Sequence, residues 1–380
     1  MKNTDLRQLA EKALATFVSR KDEAAAWEGQ KVVIYGAGVF GRDLARVLPL
    51  KSKVTLLGFL DQKGAGQVVL DDFRAHRLES ATAAQWLAEK PVVIIGVHNY
   101  LASVREIKAQ LIQFGFSRIL TPMQVYPQLS KELGWRFWLG SQQDYASSVS
   151  SIEHLGTLWA DAESQHLFYE TLLYRLGIEM EEVAPLTDVS LQYAVPTMPR
   201  WKSPLRLVDG GAYTGDTLQS LLQHGYDFAA IHAFEPDAVN FKRLCLTASA
   251  FTPETQISLW PCGLWSSTCR MSFSEGFEMG SKLTEVGPTT VPVVALDDIL
   301  HGQPVNLIKM DIEGAEADAL RGAQHLIQKY RPGLAICLYH HPQHLWSIPL
   351  WVEGLKLDYR FYCRTHAHNT FDMVLYAMPK

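Results

Sequence analysis

The run Leu207-Val208-Asp209-Gly210-Gly211-Ala212-Tyr213-Thr214-Gly215-Asp216 carries the strongest chemical signal in this 380-residue chain. A short apolar segment ends in an acid, and three glycines surround what reads as a helix start. Asp209 is suited to organise that glycine turn or to meet an amine. Gly211 and Gly215 let the backbone approach a ligand, and the following helix offers its N-terminus to a carboxylate. About twenty residues past the last glycine, a second apolar run ends in Glu235, suited to ribose hydroxyls. This is a nucleotide-cofactor pattern. Its spacing alone does not separate NAD from S-adenosylmethionine.

Two later runs end in groups able to move a proton. Ile308-Lys309-Met310-Asp311-Ile312-Glu313-Gly314-Ala315-Glu316 places acids after one strand-like segment, and Tyr339-His340-His341 closes another. Open α/β sheets bind ligands outside the carboxyl ends of their strands. A carboxylate or a histidine there can take the proton of an alcohol. Asp311, Glu313 and His340 are therefore the candidate catalytic residues. Glu316 reads as an acid suited to a helix N-terminus. His340, His341 and His344 lack a fitting set of acids or thiols, so no metal is expected. Trp265, in Cys262-Gly263-Leu264-Trp265-Ser266, either stacks on an adenine or fills a core.

A second glycine turn lies near the other end of the chain. Gly36-Ala37-Gly38-Val39-Phe40-Gly41 follows the strand-like Val32–Tyr35, and Asp61 ends the next strand where a ribose acid is expected. Gly36, Gly38, Gly41 and Asp61 are thus a candidate nucleotide site, with NAD and a nucleotide-sugar both open. His98 and Asn99 end a third strand and either line that pocket or cap the strand, with capping favoured. No Tyr-x-x-x-Lys pair accompanies the turn, which speaks against hydride chemistry.

The elements that must hold these groups alternate strand and helix. Leu6, Leu9, Ala13, Leu14, Phe17 and Val18 predict an amphipathic helix over 5–27. Lys31 to Pro127 reads as a small α/β unit with a mostly parallel sheet. Ser151 to Leu176 reads as a helix, and Pro185, Pro196, Pro199 and Pro204 break up an extended stretch after it. From Leu205 onward the chain is again α/β. Its last strands, Tyr359–Arg364 and Asp372–Ala377, form an antiparallel hairpin, with His366 and His368 solvated in the loop. Arg270–Phe273 and Val291–Leu296 suggest a further hairpin. The domain reading is an N-terminal helix over 1–28, a small Rossmann-like nucleotide-binding domain over 29–128, a helical bridge over 129–204 and a cofactor domain over 205–380.

Taken together, Val208-Asp209-Gly210-Gly211-Ala212, Gly215, Phe234-Glu235-Pro236, Leu296-Asp297-Asp298 and the Ile308–Glu316 block resemble the FkbM family of S-adenosylmethionine-dependent methyltransferases. The resemblance covers roughly the last half of the chain. It implies S-adenosylmethionine as cofactor, with Asp209, Gly211, Gly215, Glu235 and Trp265 around it. It also implies a seven-stranded class I methyltransferase sheet ending in an antiparallel hairpin, one of two Rossmann-like units in an α/β fold. The acceptor would be a hydroxyl on a sugar, a glycan precursor or a related metabolite. Asp161-Ala162-Glu163-Ser164, Tyr339-His340-His341, Leu345-Trp346 and Ile348-Pro349 resemble a subgroup that carries a glycine-rich domain first. Two alternatives stand beside this reading: an NAD-dependent sugar-modifying enzyme using the first glycine turn, and a non-catalytic nucleotide-sugar-binding protein.

Composition sets outer limits. The chain is 47% hydrophobic and 20% charged, an ordinary globular balance. A net charge of -5 argues against broad nucleic-acid binding. No apolar run is long enough to span a bilayer. Five cysteines without a C-x-x-C pair, and a charged first segment with no secretory pattern, suggest reduced, mostly buried thiols and a cytoplasmic protein. The oligomeric state is open, a homo-oligomer included.

Overall fold

Parallel strands buried on both faces need near-continuous apolar sequence, and two sets of such strands organise the chain. The computed structural model describes residues 3–20, 25–70, 72–178, 180, 186–274, 282–284 and 289–380; Pro185 and residues 21–24 lie outside them. Contacts divide the chain into two compact units. Unit 1 holds residues 1–149, 169–184 and 367–371, and unit 2 holds 150–168, 185–366 and 372–380.

Unit 1 is built on a six-stranded sheet of β1 (Lys31–Tyr35), β2 (Thr55–Leu60), β3 (Val68–Leu70), β4 (Phe73–His76), β5 (Val92–Ile95) and β6 (Ile119–Leu120), in the order β3-β4-β2-β1-β5-β6. All pairings are parallel except β3 with β4. The β3–β4 hairpin was not legible in the sequence, because its strands are short and only partly buried. The strand order reverses between β1 and β5, and the glycine turn sits at that point. Gly36 has φ +107, and a Cβ on Gly41 would stand 2.0 Å from the Gly36 carbonyl oxygen. The helix Val39–Lys51 can therefore pack down on β1 only with glycine at 41. The N-terminal helix spans Asn3–Ser19 and not 5–27; Ala25–Glu28 is a turn, closed by the Glu28 N–H on the Ala25 carbonyl.

Unit 2 contains the seven-stranded sheet expected from the sequence. It consists of β7 (Leu205–Gly210), β8 (Phe228–Phe234), β9 (Gln256–Trp260), β14 (Leu307–Met310), β15 (Gly333–Cys337), β16 (Tyr359–Thr365) and β17 (Met373–Pro379), ordered β16-β17-β15-β14-β7-β8-β9. The first five run parallel, and β17 is antiparallel to both β15 and β16. Every residue of β14 and β15 is buried. A four-stranded sheet lies in the insert, made of β10 (Gly263–Leu264), β11 (Cys269–Ser274), β12 (Lys282–Thr284) and β13 (Thr289–Val294). β11 and β13 pair antiparallel, as read from the sequence, but not as a hairpin: β12 lies between them in the chain and pairs with β11.

Two further readings need correction. The helix expected over 151–176 is two helices, Val149–Leu155 and Ala162–Arg175, because Trp159 leaves the helical path to bridge Phe361. His366 is not solvated: it is 5% exposed, with Nε2 2.8 Å from the Tyr376 hydroxyl. Burial pushes its pKa down to about 4, so it is neutral at pH 7. Of the five free cysteines, Cys262, Cys337 and Cys363 are buried, whereas Cys245 and Cys269 are exposed.

The Asp161–Ser164 segment has a structural cause. Arg364 on β16 is 1% exposed and reaches the Ser164 hydroxyl (2.8 Å), the Asp161 carboxylate (2.9 Å) and the Glu163 carboxylate (2.7 Å). Arg364→Leu strands those partners and is expected to cost about 3 kcal/mol in chemical denaturation. Glu163→Gln, whose side chain is 53% exposed, is expected to cost less than about 1 kcal/mol.

Candidate active site

The glycine turn after β7 is held from both sides. Gly211 and Ala212 both donate their N–H to the Phe234 carbonyl at 3.0 Å. Tyr213 donates its N–H to Glu235 Oε2, and Asp237 donates to Glu235 Oε1, each at 2.9 Å. The carbonyls of the turn face inward, where Lys309 Nζ donates to Gly211 O (2.7 Å) and Gly210 O (3.2 Å) and lies 3.0 Å from Asp209 Oδ1. Lys309 and Asp209 are register partners on adjacent strands, and both are buried. Burial alone would lower the ammonium pKa. Asp209, Asp311 and Asp216 outweigh it and hold Lys309 above the ordinary lysine range. Lys309 was missed in the sequence. Its one signal was a lysine inside an apolar strand, which a buried partner had to neutralise.

Gly211 and Gly215 both take left-handed φ values, +69 and +87. A Cβ on Gly211 would stand 1.9 Å from the Asp311 carbonyl oxygen. The helix Asp216–Gln223 follows Gly215, which offers no side-chain cap. Burial pushes the Glu235 carboxyl up to about 7, against the two N–H groups that favour its ionised form. Each of its oxygens keeps lone-pair capacity beyond the single N–H it accepts.

At the neighbouring strand ends a second set converges. Asp311 follows β14, and its backbone N–H donates to the Gly210 carbonyl at 3.1 Å, which joins it to the glycine turn. Asp311 Oδ1 accepts the Tyr339 hydroxyl at 3.0 Å. His340, fully buried after β15, has Nε2 3.5 Å from both Asp311 Oδ1 and Glu313 Oε2. Its Nδ1 lies 2.8 Å from Glu316 Oε1. Glu316 is also fully buried: Oε1 accepts the Ile312 N–H at 2.8 Å, and Oε2 lies 3.3 Å from His344 Nδ1. Glu316 does begin a helix, Glu316–Arg321, but its carboxylate serves the histidines. Burial would depress His340, yet Glu316, Glu313 and Asp311 outweigh it and push its pKa up to about 10. Burial, with neighbouring acids, pushes Glu313 up to about 7 and Asp372 up to about 6. Ligand atoms of Asp311, Glu316 and His340 all lie within 4.8 Å of one another.

The structure thus brings Asp311, Glu313 and His340 together, beside the turn of Asp209, Gly211, Gly215 and Glu235. Glu316, Tyr339, His344, Asp372 and Lys309 join them without having been selected from the sequence. Trp265 is half-buried; its backbone N–H donates to the Val294 carbonyl, and its backbone carbonyl packs where Gly322 lacks a side chain.

In unit 1, the Asp61 carboxylate is engaged by the chain itself. Oδ2 accepts the Ala37 N–H at 2.8 Å, and Oδ1 accepts those of Lys63 (2.8 Å) and Gly64 (2.7 Å). The space a Gly38 Cβ would enter is open. His98 is 3% exposed among Phe40, Phe137, Trp138 and Phe371, and Asn99 Oδ1 caps the N–H groups of Leu101 and Ala102.

The chain is similar to known proteins in one domain and in its fold. Residues 209–362 match the model of the Methyltransferase FkbM domain. No curated protein matches the chain. A solved structure of Methyltransferase FkbM from Methylobacillus flagellatus KT superposes with a TM-score of 0.75 at 22% identity, covering 99% of both chains, a similarity of fold. A candidate RNA methyltransferase, PH1948 from Pyrococcus horikoshii, aligns with a TM-score of 0.24 at 12% identity over 47% of this chain and 76% of that one, too little to support an argument. Among the described residues no helix is long and apolar enough to cross a membrane. The carboxyl-terminal part of the chain, residues 209–362, is an FkbM-type methyltransferase domain, of a family that uses S-adenosylmethionine.

Proposed function

We propose that the protein is an O-methyltransferase that transfers the methyl group of S-adenosylmethionine to a hydroxyl of a sugar, a glycan precursor or a related metabolite. The observation that carries this reading is the contact between the two residue sets: the backbone of Asp311 abuts Gly210 and Gly211, and Glu235 holds the next residues of the same turn. One strand edge thereby offers a cofactor cradle and a proton-accepting cluster side by side.

The residues present fit the cofactor. The uncapped helix start at Gly215 suits its carboxylate. The free lone pairs of Glu235 suit its ribose diol. Asp209 is neutralised by Lys309, so its task is to fix the turn. When bound, the cofactor supplies an electrophilic methyl carbon on a sulfonium. The protein's part is then to align an acceptor oxygen with that carbon. Asp311 and Glu313 accept the hydroxyl hydrogen, and His340, oriented by Glu316, holds the two carboxylates in place. The acceptor class rests on the family resemblance, and polar groups such as Tyr339 and Asp372 around the cluster suit a hydroxyl-bearing substrate.

Three measurements test this. In calorimetry, Glu235→Ala is expected to weaken S-adenosylmethionine binding by about 10- to 100-fold through lost charged hydrogen bonds; absence of binding to the wild type at millimolar cofactor overturns the proposal. Ribose donors favour the ionised form of Glu235, which faces Asp237 and Lys309, so binding lowers its pKa from about 7. Affinity should therefore rise with pH from 6 to 8, with proton release seen in buffers of different ionisation enthalpy, and Glu235→Gln should remove that release. Asp311→Asn is expected to lower kcat at least about 100-fold while leaving cofactor affinity nearly unchanged. The readout is S-adenosylhomocysteine formed against a panel of sugars and nucleotide sugars.

A further inference from the structure

Tyr339 stands between two carboxyl groups. Its hydroxyl lies 3.0 Å from Asp311 Oδ1 and also hydrogen-bonds the Asp372 side chain. The backbone fixes this meeting. β17 pairs antiparallel with β15, with Cys337 opposite Val374, and just beyond them the Leu338 N–H donates to the Met373 carbonyl at 2.8 Å. Continuing that register sets Tyr339 against Asp372. A phenol has one proton to give and lone pairs with which to accept. It can donate to one ionised carboxylate and not to two. Both bonds form together only when one carboxyl is protonated and donates to the phenol, while the phenol donates to the other. The trio is thus built to hold one proton more than the phenol's own. Burial and then Asp311, against His340 and Tyr339, push Asp372 up to about 6, which brings uptake of that extra proton close to neutrality. Burial, followed by Asp311, Cys337, Asp372 and Glu313, holds the Tyr339 hydroxyl well above its ordinary range. Tyr339 therefore gives up a proton only as it takes another.

We propose that Asp311, Tyr339 and Asp372 form a proton relay that carries the acceptor's proton out of the cleft to water. The relay rests on the methyl-transfer reading above. A bound acceptor covers Asp311, so a proton taken there needs another way out. Asp311 meets Tyr339 and His340 through Oδ1, and Oδ2 is the oxygen that faces the task of taking the acceptor's proton. As the acceptor oxygen bonds to the methyl carbon, the carbon–sulfur bond breaks and sulfur keeps the electron pair. The hydroxyl proton passes to Asp311. The terminal torsion of aspartate is soft, so the carboxyl can turn that proton to the Tyr339 oxygen. Tyr339 accepts it while giving its own proton to Asp372, and no phenolate forms. Asp372, only half-buried, releases the proton to water. At the end both carboxyls are ionised, the phenol is intact and one proton has left. Tyr339 and Asp372 act through Asp311 and are positioning residues.

Infrared difference spectra of the full-length protein, titrated from about pH 4 to pH 8, test the shared proton without any acceptor. Glu235 and Glu313 titrate in the same range, so the Asp372 signal is the protonated-carboxyl band that Asp372→Asn removes. Asparagine suits the left-handed φ of +49 at that position. The wild-type band is expected to have its midpoint at about 6. In Tyr339→Phe the carboxylate loses a hydrogen bond that favours it, so the midpoint should move up by about one pH unit. Both variants should lower kcat at least about 10-fold, with KM for S-adenosylmethionine unchanged, in S-adenosylhomocysteine formation against the sugar and nucleotide-sugar panel. Retained S-adenosylmethionine binding in calorimetry shows that each variant is folded. Absence of a band lost in Asp372→Asn overturns the inference, as does a midpoint unmoved in Tyr339→Phe. A moved midpoint with full kcat in Tyr339→Phe overturns the outward path alone. If nothing in the panel is methylated, the methyl-transfer reading falls and the path with it, whereas the infrared midpoint still decides the shared proton.

Discussion

A charge buried in the middle of a sheet must be neutralised where it sits. Lys309 and Asp209 meet that constraint across β14 and β7. Because the same ammonium also holds the carbonyls of Gly210 and Gly211, neutralisation and loop shape become one event. The turn cannot relax without exposing a cation to an apolar interior. Its N–H groups are meanwhile committed to Phe234 and Glu235. The turn is therefore shaped by the chain's own contacts, and preorganisation of this kind would lower what binding of a ligand there must supply.

The same logic repeats one strand further on. Glu316 and His340 are both fully buried and lie within 2.8 Å of each other, so each makes the other's burial tolerable. Between them they fix a ring whose outer nitrogen points at Asp311 and Glu313. Two buried ion pairs, one on each side of Asp311, thus anchor the functional edge of unit 2. Replacing either partner alone leaves an uncompensated charge, which explains why the network is closed by so many contacts.

Much of this was legible in the sequence, for reasons that differ by residue. The strands of unit 2 stood out because fully buried parallel strands must be continuously apolar, as in Leu207–Val208 and Ile308. Asp209, Glu235 and Asp311 stood out because acids at the ends of such strands have few other uses. Lys309 and Glu316 did not stand out. Their roles depend on partners brought together only by tertiary pairing, Lys309 from 98 positions away. The helix break before Trp159 was equally hidden, since its cause is a bridge to Phe361. His366 looked like a loop histidine, and only the approach of Tyr376 turned it into an interior one.

Glu313 and Gly314 take left-handed φ values in succession, +56 and +103. A Cβ on Gly314 would stand 2.8 Å from His341 Nε2. The first of these positions carries a long acidic side chain on a backbone that side chains rarely adopt. At this one residue, an unusual backbone contour and a half-buried carboxyl coincide. Glutamine there alters the charge and keeps the contour, whereas valine or isoleucine would disturb both at once. The tolerated substitutions at 313 are thereby narrowed by geometry before selection for chemistry begins.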